Sequence, residues 1–195
     1  MNILVNDLPT KINVGGTEFE LNTDFRAAVE FERRMEKGAE NFLKLLLPFF
    51  PNRLPDNIEG AFIAVLWFYH GGEETPKTEK TDNKRAFSYE VDAETIYADF
   101  WRFYNIDLTT AMMHWWKFRA LLFGLPEDSA FKQRIYYRTC NLKDLPKRER
   151  QRITKIRKQI EIKTETVDKI TLEERNNKML MYVQKRTTEA KSEVK

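Results

Sequence analysis

The alternation of hydrophobic and polar positions along the chain predicts a mainly α-helical protein. The densest apolar segment, residues 99–128, holds three of the four tryptophans. Within it, apolar residues recur at the three-and-four spacing of one helix face. Gly124, with Pro126 two residues later, is typical of a helix end. The pattern therefore predicts a central helix that is covered over most of its surface. Its apolar stripe comprises Leu108, Ala111, Met112, Trp115, Phe118 and Leu122.

Two short segments near the N-terminus alternate apolar and polar residues instead. They are Lys11–Val14 and residues 17–21, and they flank Gly15 and Gly16. Paired glycines favour the primed turns of β-hairpins because these turns need positive φ angles. A lone hairpin is marginal in water, so we expect it to pack on the helices or to pair with a further strand.

The other apolar patterns have the spacing of helices with identifiable caps. They predict helices that begin at Asp24, near Asn41, at Ile58, after Asp92 and near Asp128. The first has Thr23 or Asn22 as its candidate cap, and Asp92 is the candidate cap of the fourth. Between the third and the fourth of these helices, the segment of about residues 72–86 contains almost no apolar side chains, which predicts an exposed loop.

The C-terminal part of the chain differs in charge from the rest. Residues 141–195 contain 16 Lys/Arg against 9 Asp/Glu, a net charge of +7, whereas residues 1–140 contain 17 against 21, a net charge of −4. A basic amphipathic helix is predicted from Pro146 to Ile160, and a capping box at Thr171 predicts a second helix. We therefore predict a helical core domain with the hairpin at 1–141 and a basic helical extension at 142–195. An acidic body with a basic tail favours self-association or an acidic partner.

The residues that enzymes need are sparse. The chain has two histidines and one cysteine, Cys140, which predicts no internal disulfide, no zinc site and a reducing cytoplasm. No segment has the pattern of a phosphate-binding loop, a signal peptide or a membrane span. We expect no catalysis, cofactor or metal. The carboxylates of Asp92 and Glu94, or the triplet Glu161-Ile162-Lys163, leave a metal-dependent nuclease as an alternative.

Basic side chains in the predicted C-terminal helix suggest a second surface. They include Arg148, Arg152, Lys155 and Arg157, which spread around the helix, and no aromatic residues lie between them for base stacking. A solvated helix surface is therefore favoured over nucleic-acid binding, and an acidic protein partner is a further alternative.

Several strings in the sequence resemble a known phage family. They are YNIDL at 104–108, HWWKFRAL at 114–121 and GLPED at 124–128, supported by similar pieces at 22–26, 87–97 and 135–138. Together they resemble the gene-product-fifteen group of siphophages and prophages of Gram-positive bacteria over most of residues 8–150.

The resemblance implies a tail assembly chaperone. Such a protein binds the long, apolar tape measure protein, keeps it soluble and helps to recruit tail tube subunits around it. It implies the host cytoplasm as the location, absence from the mature virion and no catalysis. An aromatic-rich, helical chain suits this task. We expect the exposed members of an aromatic cluster to contact the tape measure; the cluster comprises Trp101, Trp115, Trp116 and Phe118. The candidate partner-binding residues are Trp101, Tyr104, His114, Trp115, Trp116, Phe118 and Arg119. A nucleic-acid-binding phage protein that uses the basic tail is the alternative.

Overall fold

The computed structural model describes residues 2–37, 42–73, 85–162 and 181. Within these residues the fold is mainly α with a two-stranded antiparallel hairpin, which confirms the predicted fold class. The strands are β1 (Lys11–Val14) and β2 (Thr17–Glu20). The helices are α1 (Phe25–Glu36), α2 (Phe42–Leu46), α3 (Ile58–Tyr69), α4 (Ala93–Tyr104), α5 (Trp115–Phe123), α6 (Ala130–Thr139) and α7 (Lys147–Gln159).

The described residues cluster into two compact units. Unit 1 comprises residues 2–37, 42–73 and Met113–Trp116, and unit 2 comprises residues 85–112 and 117–162. The division predicted at residues 141 and 142 stays a prediction. Most of the predicted loop at 72–86 and the helix predicted to open at Thr171 lie outside the described residues.

Unit 1 opens with the predicted hairpin. Lys11 pairs with Glu20 and Val14 pairs with Thr17, so the turn is Gly15-Gly16, with φ angles of 61° and 87°. These left-handed values explain the two glycines, because other residues adopt them at a cost. Ile12 and Val14 are buried, and β1 packs on α3, so the hairpin lies on the helices as expected.

The helices of unit 1 enclose an aromatic core. Asp24, rather than Thr23 or Asn22, caps α1 by accepting a hydrogen bond from the Arg26 amide at 2.9 Å. Asn57 caps α3 in the same way. The rings of Phe31 and Phe49 meet edge to face with centroids 5.5 Å apart, a favourable aromatic geometry. Other buried members of this core are Phe25, Phe62, Val65, Leu66 and Phe68.

Unit 2 is built on α4, α6 and α7, with α6 in contact with both other helices. A buried carboxylate joins α4 to α6. Asp99 of α4 accepts hydrogen bonds from the amides of Ala130 and Phe131, at 3.3 and 2.7 Å. These amides belong to the first turn of α6, where backbone N–H groups lack helical partners. Ile153 is the buried residue of α7, which is amphipathic as predicted.

The long central helix predicted from Leu108 to Leu122 is wrong. Helix α4 ends at Tyr104, its C-cap Asn105 has a left-handed φ of 53°, and α5 begins only at Trp115. In between, the Asp107 carboxylate accepts hydrogen bonds from the amide and hydroxyl of Thr109, at 2.8 and 2.6 Å. Such local side-chain bonds compete with helix formation. Leu108, Ala111 and Met112 therefore share no helix face with Trp115, and Met112 is 87% exposed.

A search of the described residues for a membrane-spanning segment found no helix with the required length and apolar character.

Candidate partner-binding surface

The seven predicted partner-binding residues divide between the two units. Unit 1 contains His114, Trp115 and Trp116, and unit 2 contains Trp101, Tyr104, Phe118 and Arg119. Helix α5 contributes its first two residues to unit 1 and the rest to unit 2. The environments of these residues differ between the two units.

The two adjacent tryptophans of α5 pack against the C-terminal end of α3. Both are buried, Trp115 to 2% exposure. The Trp115 indole N–H donates to the Tyr69 carbonyl at 2.8 Å, and the Trp116 indole N–H donates to the Phe68 carbonyl at 2.7 Å. The last carbonyls of a helix lack helical donors. The Trp115 indole supplies a donor to the Tyr69 carbonyl, and the Trp116 indole adds a second donor to the Phe68 carbonyl, which also accepts from the Gly71 amide at 3.0 Å. Each ring also stacks on the side chain of the residue whose carbonyl it binds.

His114 positions this pair from the other side. Its Nδ1 accepts a hydrogen bond from the Trp116 amide at 3.1 Å, and its Nε2 lies 3.1 Å from the Pro9 carbonyl. This arrangement requires a neutral ring with the proton on Nε2, which donates to Pro9. His114 therefore acts as a cap for α5 and holds the N-terminal segment in place. These hydrogen bonds of His114, Trp115 and Trp116 all join residues of unit 1.

A close approach to Trp116 makes Gly72 sensitive to substitution. Gly72 has a φ of +81°, and a Cβ there would lie 2.8 Å from Cη2 of Trp116. We expect Gly72→Ala to lower the free energy of unfolding by about 1–3 kcal/mol through backbone strain, with a further loss from displacing the ring. Urea unfolding followed by far-UV circular dichroism measures this loss.

Gly16→Ala is the matched control for Gly72→Ala. Gly16 has a similar φ of +87°, but a Cβ there meets nothing within 4 Å. Gly16→Ala therefore measures the backbone strain alone, so Gly72→Ala should lower the free energy of unfolding by more than Gly16→Ala does. Equal losses at both positions would show that Trp116 does not confine Gly72.

In unit 2, Phe118 is buried and Tyr104 is half-buried. Phe118 is 1% exposed and stacks on Phe100 of α4, with centroids 5.1 Å apart. The Tyr104 hydroxyl donates to the Leu121 carbonyl of α5 at 2.8 Å. Burial raises the pKa of Tyr104, so the phenol stays protonated as this donation requires. Arg119 is half-buried.

Trp101 is the exception among the predicted aromatic residues. It lies on α4 with 52% of its surface exposed, and Tyr97, one turn earlier on the same face, is 37% exposed. Glu94 and Ala98 are also exposed on this side of the helix. The pKa of the Asp107 carboxylate, in the loop that follows α4, is lowered mainly by its hydrogen bond from the Thr109 hydroxyl. We call Tyr97 and Trp101, with Glu94 and Ala98, the α4 aromatic face.

A buried ionic cluster at the start of α4, formed by Asp92 with Arg134 and Arg138, was not predicted from the sequence. Asp92 was predicted to cap α4, but its side chain makes no such bond. Instead, its two oxygens accept two hydrogen bonds each, so both are saturated. The donors are Arg138 (2.6 and 2.8 Å), Arg134 (2.9 Å) and the Ser88 amide (3.1 Å).

The geometry of this cluster decides its chemistry. Burial acts to raise the pKa of Asp92, but the hydrogen bonds from Arg138, Ser88 and Arg134 outweigh it and hold that pKa below its ordinary value. Asp92 is completely buried and has no lone pair left for a metal ion, which argues against it as a nuclease ligand. Its partner Arg138 also donates to the carbonyls of Ala86 and Ile160. The cluster therefore ties α6 to the entry of α4 and the end of α7.

The basic residues of α7 fall into two groups. Arg157 points inward, where it donates to the carbonyls of Tyr137 and Cys140 and lies 3.3 Å from the Cys140 thiol. Arg148, Arg152 and Lys155 are exposed. Among the described residues, no group of three or more His, Cys, Asp and Glu side chains could hold a metal ion.

Comparison with known proteins adds a family to this description. Searches of curated proteins and of solved structures returned no match. A family model described as Bacteriophage Gp15 protein matches residues 4–162, which include both units. The family indicates a phage structural or assembly protein and is not known for enzymatic activity. The chain belongs to the Bacteriophage Gp15 protein family.

Proposed function

We propose that this protein is a tail assembly chaperone that binds the tape measure protein. In this account it keeps the tape measure soluble in the host cytoplasm, helps to recruit tail tube subunits and is absent from the mature virion. Membership in a phage structural or assembly family supports the proposal, as does the resemblance of its sequence to tail assembly chaperones.

The α4 aromatic face is the observation that carries the proposal. Tyr97 and Trp101 are exposed on one side of a helix, although the same unit buries Phe100 and Phe118 completely or nearly so. An amphipathic helix laid along such a face would bury both rings, and helix-in-groove binding uses anchors spaced by one helical turn. Tryptophan and tyrosine are also the residues most often responsible for binding energy at protein interfaces. A tape measure protein offers long apolar helical stripes that need such a cover.

Trp115, Trp116, His114 and Phe118 have a different task in this proposal. Their hydrogen bonds and ring stacking described above join residues of the same unit, so we assign these side chains to folding rather than to the contact with the tape measure. Self-association along the tape measure would bring many copies of the α4 aromatic face to one long partner.

Co-expression with the tape measure protein of the same phage tests this function. We expect the full chain to keep the tape measure soluble and to co-elute with it on size exclusion, with several copies per tape measure. A tape measure that remains insoluble, or that is soluble without binding this chain, would contradict the proposed function.

A further inference from the structure

Helix α7 presents a stripe of positive charge that internal contacts do not use. Arg148, Arg152 and Lys155 are exposed and lie at i, i+4 and i+7, on one helix face. At 1.5 Å per residue the stripe is about 10 Å long. The three side chains line one open surface depression together with Pro146, Glu149 and Gln151. We call Arg148, Arg152 and Lys155 the α7 basic stripe.

Of the other four cations of α7, two bind backbone carbonyls, and Lys147 and Lys158 are exposed outside the depression. Residues 147–161 contain seven Lys/Arg and two Asp/Glu. Arg157 and Arg150 are engaged with backbone carbonyls, Arg150 with those of Leu145 and Lys143 at 3.2 and 3.4 Å. The α7 basic stripe forms no ion pair within the described residues, and Glu149 is the single carboxylate beside it in the depression. The depression therefore keeps a net positive charge.

The chemistry of this face favours a polyanion over a protein partner. The exposed residues of α7 are Lys147, Arg148, Arg150, Gln151, Arg152, Lys155, Lys158 and Gln159, which include no apolar side chain. Protein interfaces have apolar cores and are depleted in lysine. Phosphate oxygens, in contrast, are bound mainly by arginine, lysine and polar amides. We propose that the α7 basic stripe binds the phosphodiester backbone of nucleic acid without regard to sequence.

The dimensions of the stripe agree with this ligand. One strand of a duplex carries a phosphate about every 3.4 Å along the axis, so about 10 Å of helix faces three phosphates. No aromatic residue lies on the stripe to stack on bases, so no base preference is expected. Binding should depend strongly on salt, because each neutralised phosphate releases counterions. This site is independent of the α4 aromatic face, and the tape measure proposal does not depend on it.

Fluorescence anisotropy with the full chain and labelled DNA tests the inference. The probes are a duplex of about 20 base pairs, a single-stranded DNA and a single-stranded RNA, titrated between about 50 and 200 mM salt. The variant Arg148→Gln, Arg152→Gln, Lys155→Gln should reduce the slope of log K against log salt by about 2.7 for the duplex, at roughly 0.9 per phosphate. At about 50 mM salt it should bind at least roughly tenfold more weakly. The two single-stranded probes show whether DNA or RNA is preferred.

A variant with the same loss of charge elsewhere is the control. Lys11, Lys44 and Lys117 are exposed residues outside α7, and their joint change to Gln should leave the slope near that of the unmodified chain. Circular dichroism confirms that both triple variants are folded. An unchanged slope in the stripe variant, or an equal loss in the control, would overturn the inference. Binding of poly-glutamate but of no nucleic acid would overturn it as well and would assign the stripe to an acidic protein.

Discussion

Replacing Arg138 with methionine is expected to lower the free energy of unfolding by about 3–5 kcal/mol. Arg138 and Asp92 are 6% and 0% exposed and form two hydrogen bonds, at 2.6 and 2.8 Å. Removing one partner leaves the other charge buried and without its main counter-charge. The substitution also takes the donor away from the Ile160 carbonyl, which Arg138 binds at 2.9 Å. Urea unfolding followed by far-UV circular dichroism measures the loss.

Three related variants show whether the cluster acts as a pair. Asp92→Asn should cost a similar amount, and the double variant should cost less than the sum of the two, with a coupling of about 1–3 kcal/mol. Arg134→Met should cost less, because Arg134 makes one bond to Asp92 and has a side chain that is 33% exposed. Additive losses, or an Arg134 variant as damaging as the Arg138 variant, would contradict this description.

Asp92 also gives the stability a particular pH dependence. The hydrogen bonds hold the pKa of Asp92 below its ordinary value in the folded protein, so the unfolded chain binds this proton more readily. The contribution is therefore present above the unfolded pKa of about 4 and is lost as the pH falls through the lower folded pKa. Unfolding free energies measured from about pH 6 downward should fall more steeply for the unmodified chain than for Asp92→Asn. Parallel curves would contradict the assignment.

Trp115→Ala is expected to lower the free energy of unfolding by about 3–5 kcal/mol, through a cavity in the core of unit 1. The ring is 2% exposed and stacks on Tyr69, with centroids 5.3 Å apart. The substitution also leaves the Tyr69 carbonyl without its indole donor. The loss is measured in the same urea experiment.

Trp115→Phe separates the two contributions and should fold even if the alanine variant does not. It keeps most of the aromatic packing but removes the N–H group, so we expect a smaller loss of about 1–3 kcal/mol. A phenylalanine variant as stable as the unmodified chain would show that the bond to the α3 carbonyl contributes nothing. A near-neutral Trp115→Ala would contradict its place in the core.

The elements with local signals were predicted well from the sequence. The two glycines of the hairpin have the positive φ angles that the turn requires, and α3 begins at Ile58 as predicted. The central helix failed because periodicity alone does not detect a competing local structure. Asp107 binds Thr109, and the backbone of Met113 accepts a hydrogen bond from Phe25, so residues 105–114 leave the helical path.

The pattern of hydrophobic positions does not predict which tryptophan side chains are buried. Trp101, Trp115 and Trp116 look alike in the sequence, yet Trp101 is half exposed and the other two are enclosed. Their difference depends on α3, whose terminal carbonyls receive the two indole N–H groups from a segment 46–48 residues away. The Asp92–Arg138 pair, likewise, joins residues 46 positions apart. The sequence around Asp92 predicts a helix cap, but in the structure its side chain binds the distant Arg138 instead.

Co-purification of the Trp101→Ala variant with the tape measure protein tests the central claim most directly. Trp101 is 52% exposed on α4, so the variant should fold like the unmodified chain. A buried interface tryptophan typically contributes about 2 kcal/mol or more, so the variant should bind roughly 30-fold more weakly. Tyr136→Ala on α6, where the ring is 48% exposed, is the control and should bind normally. A Trp101→Ala protein that retains the tape measure as well as the Tyr136→Ala control would contradict the account.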